Sequence, residues 1–168
     1  GLVKASAGTR FRAPDATDLP GCGGNPDLDP EESQSLEVSW RQAIGERLGF
    51  GAPTEPGALW LHAVSLGETR AAEPLIQALR AARPGLRLLL THGTATGRET
   101  GLALLRAGDA QRWLPFDTPG AVRRFLRRHR PAIGVLMETE VWPNLQAEAL
   151  AAGVPMVLAN ARLSDKSL

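Results

Sequence analysis

A glutamate able to act as a base stands at position 68, in the string Ser65-Leu-Gly-Glu68 that directly follows an apolar run. A carboxylate on a Gly-containing turn at a strand end can take a proton from a bound hydroxyl. The same Ser-x-x-Glu spacing also fits a capping box, in which serine and glutamate bond each other's backbone N–H groups where a helix starts. Pro74 weighs against that use, because a helix capped at Ser65 would carry the proline in its interior at a cost of about 3 kcal/mol. A helix that begins nearer Thr69 would instead leave Ser65–Glu68 as a loop with a free carboxylate, and the two readings are compatible with different ligand states.

Two further strings could do chemistry. Glu138 and Glu140 flank Thr139 just after a buried strand, with Trp142-Pro143 behind them. Carboxylates this close together suggest function for at least one, while the other suits the positive N-terminus of the helix that follows. Gly93-Thr-Ala-Thr-Gly97 opens a helix with small residues. They would let a ligand approach the backbone, where free N–H groups and the helix dipole favour an anion. A plain Thr-capped turn is the competing use. The string matches neither the P-loop nor the GxGxxG pattern. Arg123, Arg124, Arg127, Arg128 and Arg130 form the polar side of another helix. They read as a solvated face or as a surface for phosphates and anionic lipid headgroups. His62 reads as a satisfied core histidine, and Trp60 and Trp113 as core or edge aromatics.

The elements that must position these groups follow from periodicity. Apolar runs of strand length occur at Ala58–Val64, Leu86–Thr91, Gln111–Leu114, Ala132–Met137 and Val154–Ala159, with helical patterns between them. Ala72, Leu75, Ile76 and Leu79 share one helix face, as do Val122, Phe125, Leu126 and His129. Asn144–Ala152 reads as a short helix with Gly153 as its C′ residue, and Trp40–Leu48 as another ended by Gly49. Apolar strands alternating with helices imply a doubly wound α/β domain on a parallel sheet. In such sheets ligands sit outside the carboxyl ends of the strands, where Glu68, Gly93–Gly97 and Glu138–Glu140 all fall. Residues 1–36 are rich in Gly, Pro, Asp and Ser without apolar periodicity and read as a flexible arm; residues 37–168 form the globular domain.

The totals exclude several classes. Net charge is +1 over 168 residues, and there is a single cysteine, Cys22. Neither a disulfide framework nor a multi-cysteine metal site is available, and the scattered histidines 62, 92 and 129 lack ligand spacing, so no metal or cofactor is expected. Aromatics for base stacking do not flank the arginine run, which argues against nucleic acid. No stretch approaches the roughly 18 consecutive apolar residues of a membrane span, and no secretory signal opens the chain. A soluble chain is expected, able to touch a membrane surface.

Five strings in order extend this reading: Trp60-Leu-His-Ala-Val-Ser-Leu-Gly-Glu-Thr-Arg70, Thr94-Ala-Thr-Gly97, Leu114-Pro-Phe-Asp117, Met137-Glu-Thr-Glu-Val-Trp-Pro-Asn144 and Asn160-Ala-Arg-Leu-Ser164. Together they resemble the signature of 3-deoxy-D-manno-octulosonic acid (Kdo) transferases, from about Trp40 to the final residue. The resemblance implies one half of a GT-B glycosyltransferase, in which two Rossmann-like domains face a cleft. It implies transfer of Kdo from CMP-Kdo to a lipid A precursor disaccharide in lipopolysaccharide biosynthesis, with inversion and without a metal, at the cytoplasmic face of the bacterial inner membrane. Glu68 resembles the general base, with Glu138 or Glu140 also needed for activity. Ser65, Gly67, Gly93, Thr94, Thr96 and Gly97 would shape the acceptor cleft, and Arg70 would meet an acceptor phosphate. Two features depart from the family pattern. The first 36 residues do not resemble its apolar anchor, and His92 stands where a small hydroxyl residue is expected. The domain that would hold CMP is not within the 168 residues, so the chain alone is expected to be inactive. The alternatives are a stand-alone module that binds an anionic or phosphorylated glycolipid without catalysis, and an interaction domain docking through its arginine helix.

Overall fold

The computed structural model describes residues 41–138 and 141–161. The predicted arm, Glu140 and the last residues of the Asn160–Ser164 string lie outside them. Residues 41–47 are helical (α1), and Gly49 turns the chain out of that helix with φ +83°. Then come β1 (Leu59–His62), α2 (Leu66–Ala82), β2 (Leu88–His92), α3 (Ala95–Gly101) with a 3-10 turn at Leu102–Leu104, β3 (Ala110–Trp113), α4 (Pro119–His129), β4 (Ile133–Met137), α5 (Pro143–Ala151) and β5 (Met156–Ala159). Each predicted strand and helix within the described residues is present.

All four strand pairings are parallel, in the order β3-β2-β1-β4-β5. Alternate residues of a strand point to opposite faces, so β1 feeds two cores. Trp60 joins Leu89, Val122, Phe125, Leu136 and Leu145 beneath α4 and α5. Leu59 and Leu61 join Ala72, Ile76, Leu88, Leu90, Val135 and Met137 beneath α2. Helices thus cover both faces, and the sequence direction of the sheet reverses between β1 and β4. That reversal is the topological switch point, where the carboxyl ends of adjacent strands part to leave a crevice.

Three local differences from the sequence reading have physical causes. α2 begins at Leu66 rather than near Thr69, with Pro74 inside it. The carbonyl that loses its partner to Pro74 is that of Arg70, four residues earlier. Arg70 and Pro74 are both exposed, so water can replace the missing bond. β3 is an edge strand, not an apolar run: Gln111 and Arg112 interrupt it, and Gln111 Nε2 donates to the Arg98 carbonyl at 2.7 Å. β5, at the other edge, leaves Val157 and Leu158 about half exposed.

Candidate functional site at the carboxyl edge of the sheet

The start of α2 holds Glu68 through three contacts. Ser65 is the N-cap: its Oγ accepts from the Glu68 N–H at 3.3 Å and donates to Glu68 Oε1 at 3.0 Å. Glu68 Oε2 accepts from the Val64 N–H at 2.8 Å. The capping box that Pro74 weighed against is therefore formed, shifted by one residue on the backbone side. The carboxylate sits in the first turn, where the helix dipole favours it, and is 8% exposed. Two ionised oxygens offer about four lone-pair directions, and these bonds use two. The helix start is capped and the carboxylate still has lone pairs that no described group uses.

The string after β2 packs against this loop. Val64 O accepts from the Gly93 and Thr94 N–H groups, both at 3.1 Å, and from Thr94 Oγ1 at 3.0 Å. Thr94 caps α3, accepting from the Gly97 N–H at 3.2 Å. A Cβ at Gly93 would lie 2.8 Å from Val64 Cγ1, and one at Gly97 3.0 Å from the Ser65 carbonyl carbon. These glycines let two strand-end loops touch, and the Thr-capped turn is realised. Gly67 and Thr96 are exposed in the same region. Arg70 is exposed on α2 and makes none of the contacts that tie these loops together.

Across the switch point, Glu138 follows β4 with φ 61°. A non-glycine residue in this left-handed region costs about 1 kcal/mol or more, and the Glu138 N–H bond to Ala159 O at 2.8 Å helps hold it there. Among the described residues it is Asp117 that serves the following helix. Its Oδ1 accepts from the Leu145 N–H at 2.8 Å and its Oδ2 from the Asn144 N–H at 3.3 Å, while Asn144 Nδ2 donates to the Asp117 carbonyl at 2.8 Å. The Leu114–Asp117 and Met137–Asn144 strings are thus joined through the N-terminus of α5.

Sequence reasoning missed Glu46, Arg47 and Arg98. Arg47 donates to the Gly93 carbonyl at 2.7 Å, and its guanidinium lies 4.7 Å from the Trp113 ring centroid and 5.6 Å from that of Phe116. Arg98 lies 5.1 Å from the Trp113 centroid and 3.6 Å from Glu46, which accepts from the Trp113 N–H at 2.9 Å. Burial lowers the pKa of both arginines from its ordinary value, and the aromatic rings offset part of that cost. A signal for Arg98 was its place immediately after Gly97. No local signal marked Arg47, whose partner is 46 residues away.

His62 and His92 end β1 and β2 and are fully buried. Each is held neutral by burial, which pushes its pKa down to about 4 despite a bond to a backbone carbonyl. Of the arginine run, Arg123 pairs with Glu148 at 2.7 Å, Arg124 donates to the Leu48 carbonyl at 2.8 Å and Arg128 to that of Gly51 at 3.4 Å. Arg127 and Arg130 line a groove of about 610 Å³ between the C-terminal parts of α4 and α5. That groove lies at the opposite edge of the sheet from Glu68. Among the described residues no helix is long and apolar enough to cross a membrane.

Comparison with known proteins assigns the family. Residues 42–168 match the family model described as 3-deoxy-D-manno-octulosonic-acid transferase. A model of the TonB dependent receptor-like beta-barrel matches residues 2–52; the part of that stretch described here, residues 41–52, holds a helix and a turn but no strand. A 3-deoxy-D-manno-octulosonic acid transferase of Bordetella pertussis is 58% identical over 128 residues, covering 73% of this chain and 29% of the relative. One from Haemophilus influenzae is 37% identical over 131 residues, covering 76% and 31%. A probable mitochondrial one from Arabidopsis thaliana is 39% identical over 142 residues, covering 79% and 32%. The chain thus spans about three tenths of the length of these relatives. With the family model matched over residues 42–168, on a five-stranded parallel sheet with helices on both faces, the chain belongs to the Kdo transferase family.

Proposed function

We propose that residues 37–168 are the N-terminal, acceptor-side domain of a GT-B Kdo transferase of lipopolysaccharide biosynthesis, with Glu68 as its general base. The observation that carries this reading is Glu68 in the first turn of α2, directly after the carboxyl end of β1, with its carboxylate oriented but not used up. The donor is CMP-Kdo and the acceptor a lipid A precursor at the cytoplasmic face of the inner membrane. An acceptor hydroxyl within hydrogen-bond reach of Glu68 loses its proton to the carboxylate as its oxygen bonds to the anomeric carbon of Kdo. The bond from that carbon to the CMP phosphate breaks, CMP leaves with the electron pair, and attack from the opposite face inverts the centre. Ser65 and the Val64 N–H hold the carboxylate so that no reorientation is needed at that moment. Glu138 or Glu140 completes the site from across the crevice. The Gly93–Gly97 loop with Gly67 shapes the acceptor side, and Arg70 meets an acceptor phosphate. The donor domain lies in the portion of the relatives that this chain does not span, so the 168 residues alone do not transfer sugar.

Titration of the purified chain with a lipid A precursor disaccharide and, separately, with CMP-Kdo tests this division. The expected result is acceptor binding without donor binding, with resonance shifts at Glu68 and Gly93–Gly97. Donor binding without acceptor binding would reverse the assignment of the two halves. Acceptor binding coupled to full transfer activity of the 168 residues would overturn the two-domain reading.

A further inference from the structure

Among the described residues four buried side-chain nitrogens have no hydrogen-bond partner, Nε2 of His62, Nε2 of His92, Nη1 of Arg98 and Nε1 of Trp142, and those of His62 and Trp142 belong to neighbouring rings at the carboxyl edge. The two rings meet edge to face, with centroids 6.1 Å apart and planes at 75°. His62 ends β1 and Trp142 precedes α5, so the contact spans the β1/β4 switch point. Buried nitrogen and oxygen atoms are seldom left unbonded, since each costs about 1–3 kcal/mol in that state.

The chemistry of the missing partner follows from the other imidazole nitrogen. His62 Nδ1 lies 3.0 Å from the Thr91 carbonyl oxygen, which can only accept. Nδ1 therefore carries the hydrogen and Nε2 presents a lone pair. Thr91 Oγ1, also 3.0 Å from Nδ1, accepts from Trp60 Nε1 at 2.8 Å, so the ring is braced on its inner side. Burial keeps the imidazole neutral, with its pKa near 4, and the lone pair persists at neutral pH. The Trp142 indole can only donate. The pair thus asks for a hydrogen at one nitrogen and an oxygen lone pair at the other. An ionised carboxylate serves only the indole, and an ammonium only the imidazole. A hydroxyl group serves both. The Trp142 ring is partly exposed while its Nε1 and His62 Nε2 are themselves buried, so the two atoms lie beneath the surface on the indole side.

We propose that His62 and Trp142 form a hydroxyl-binding subsite in the switch-point crevice, which accepts from and donates to hydroxyl groups of the sugar acceptor. The inference rests on the acceptor-side reading above. An internal water offers the same chemistry, so the experiment must separate the two sources.

In the full-length protein with ¹⁵N-labelled histidine, the His62 Nε2 resonance is followed during addition of a lipid A precursor disaccharide and, separately, of acetate. Kdo transfer by the same preparation is assayed in parallel. The subsite predicts an upfield shift of Nε2 with the disaccharide and none with acetate, which has no hydrogen to donate. It also predicts that Trp142→Phe, which keeps the ring and deletes the N–H, raises KM for the acceptor about three- to tenfold and lowers kcat by less. An Nε2 resonance already hydrogen-bonded without ligand, in exchange with water and unmoved by the disaccharide, would assign the site to an internal water and overturn the proposal. An unchanged KM in Trp142→Phe would overturn it as well. Active wild-type protein with an unmoved Nε2 brings down this inference alone; a folded full-length protein that transfers no Kdo brings down the acceptor-side reading and this inference with it.

Discussion

Two buried carboxylates at opposite ends of the sheet show how a structural acid differs from one left available for chemistry. Asp109, at the amino-terminal edge just before β3, has a side chain 2% exposed and pairs with Arg80. It also accepts from the Leu88 N–H at 2.8 Å through Oδ1 and from the Arg106 N–H at 2.8 Å through Oδ2. Arg80 in turn donates to the Leu104 carbonyl at 2.8 Å. Charge and hydrogen bonds are consumed locally, tying α2 to the starts of β2 and β3. Glu68 at the other end accepts from one backbone N–H and one hydroxyl and is paired with no described cation. Around it the same pattern recurs in the unpartnered His62 Nε2 and Trp142 Nε1 and in the left-handed Glu138. The end that stabilises the fold spends its polar groups, and the end assigned to chemistry holds some of them in reserve.

The comparison breaks most readily at Asp109. Asp109→Ala should lower unfolding free energy by about 3–5 kcal/mol, because it strands the buried Arg80 charge; urea denaturation measures this. A loss below about 1 kcal/mol would mean that the amino edge is not the structural end. The next effect comes from pH. His62, His92 and His129 have folded pKa values lowered to about 4, chiefly by burial, against an ordinary 6.5. The unfolded chain therefore binds more protons between those values. Stability should be full above about pH 6.5 and fall steeply as the pH drops towards 4, by on the order of 3 kcal/mol for each ring. Denaturation midpoints across that range check it, and a flat profile would contradict the burial of these rings.

Smaller effects sharpen the picture. Asp117→Ala removes the cap on α5 and should cost about 1 kcal/mol, with amide exchange in Asn144 and Leu145 rising first. Gly67 sits in the first turn of α2 with only Ser65 Oγ near a would-be Cβ, at 3.8 Å. Gly67→Ala should leave stability unchanged or raise it by up to about 1 kcal/mol. Weakened acceptor binding in that stable variant would indicate that the glycine makes room for ligand; unchanged binding would indicate that it does not.

The fold was legible because its three central strands are buried on both faces. Ala58–Val64, Leu86–Thr91 and Ala132–Met137 read as apolar runs and hold all or most of β1, β2 and β4, and the spacing of Val122, Phe125, Leu126 and His129 marked the inner face of α4. The start of α2 was not legible because the cost of an interior proline depends on where the orphaned carbonyl points, and that of Arg70 belongs to an exposed residue. His62 was half legible. Its core position follows from β1, but its lone pair at Nε2 depends on Thr91 and its neighbour Trp142 lies 80 residues on. The role of Arg47 depends in the same way on Gly93, Trp113 and Phe116, which only the folded sheet brings to α1.

The most direct test of the account is the steady-state Kdo transfer rate of Glu68→Gln in the full-length protein, measured beside its thermal unfolding. The amide can still accept from the Val64 N–H, so the loop is expected to keep its shape and the midpoint to stay near wild type. The rate should fall by about 10²–10⁴-fold, the range for loss of a positioned base. A variant that folds normally and transfers Kdo at close to the wild-type rate would contradict Glu68 as the base, and with it the reading of the carboxyl edge as the end held in reserve for chemistry.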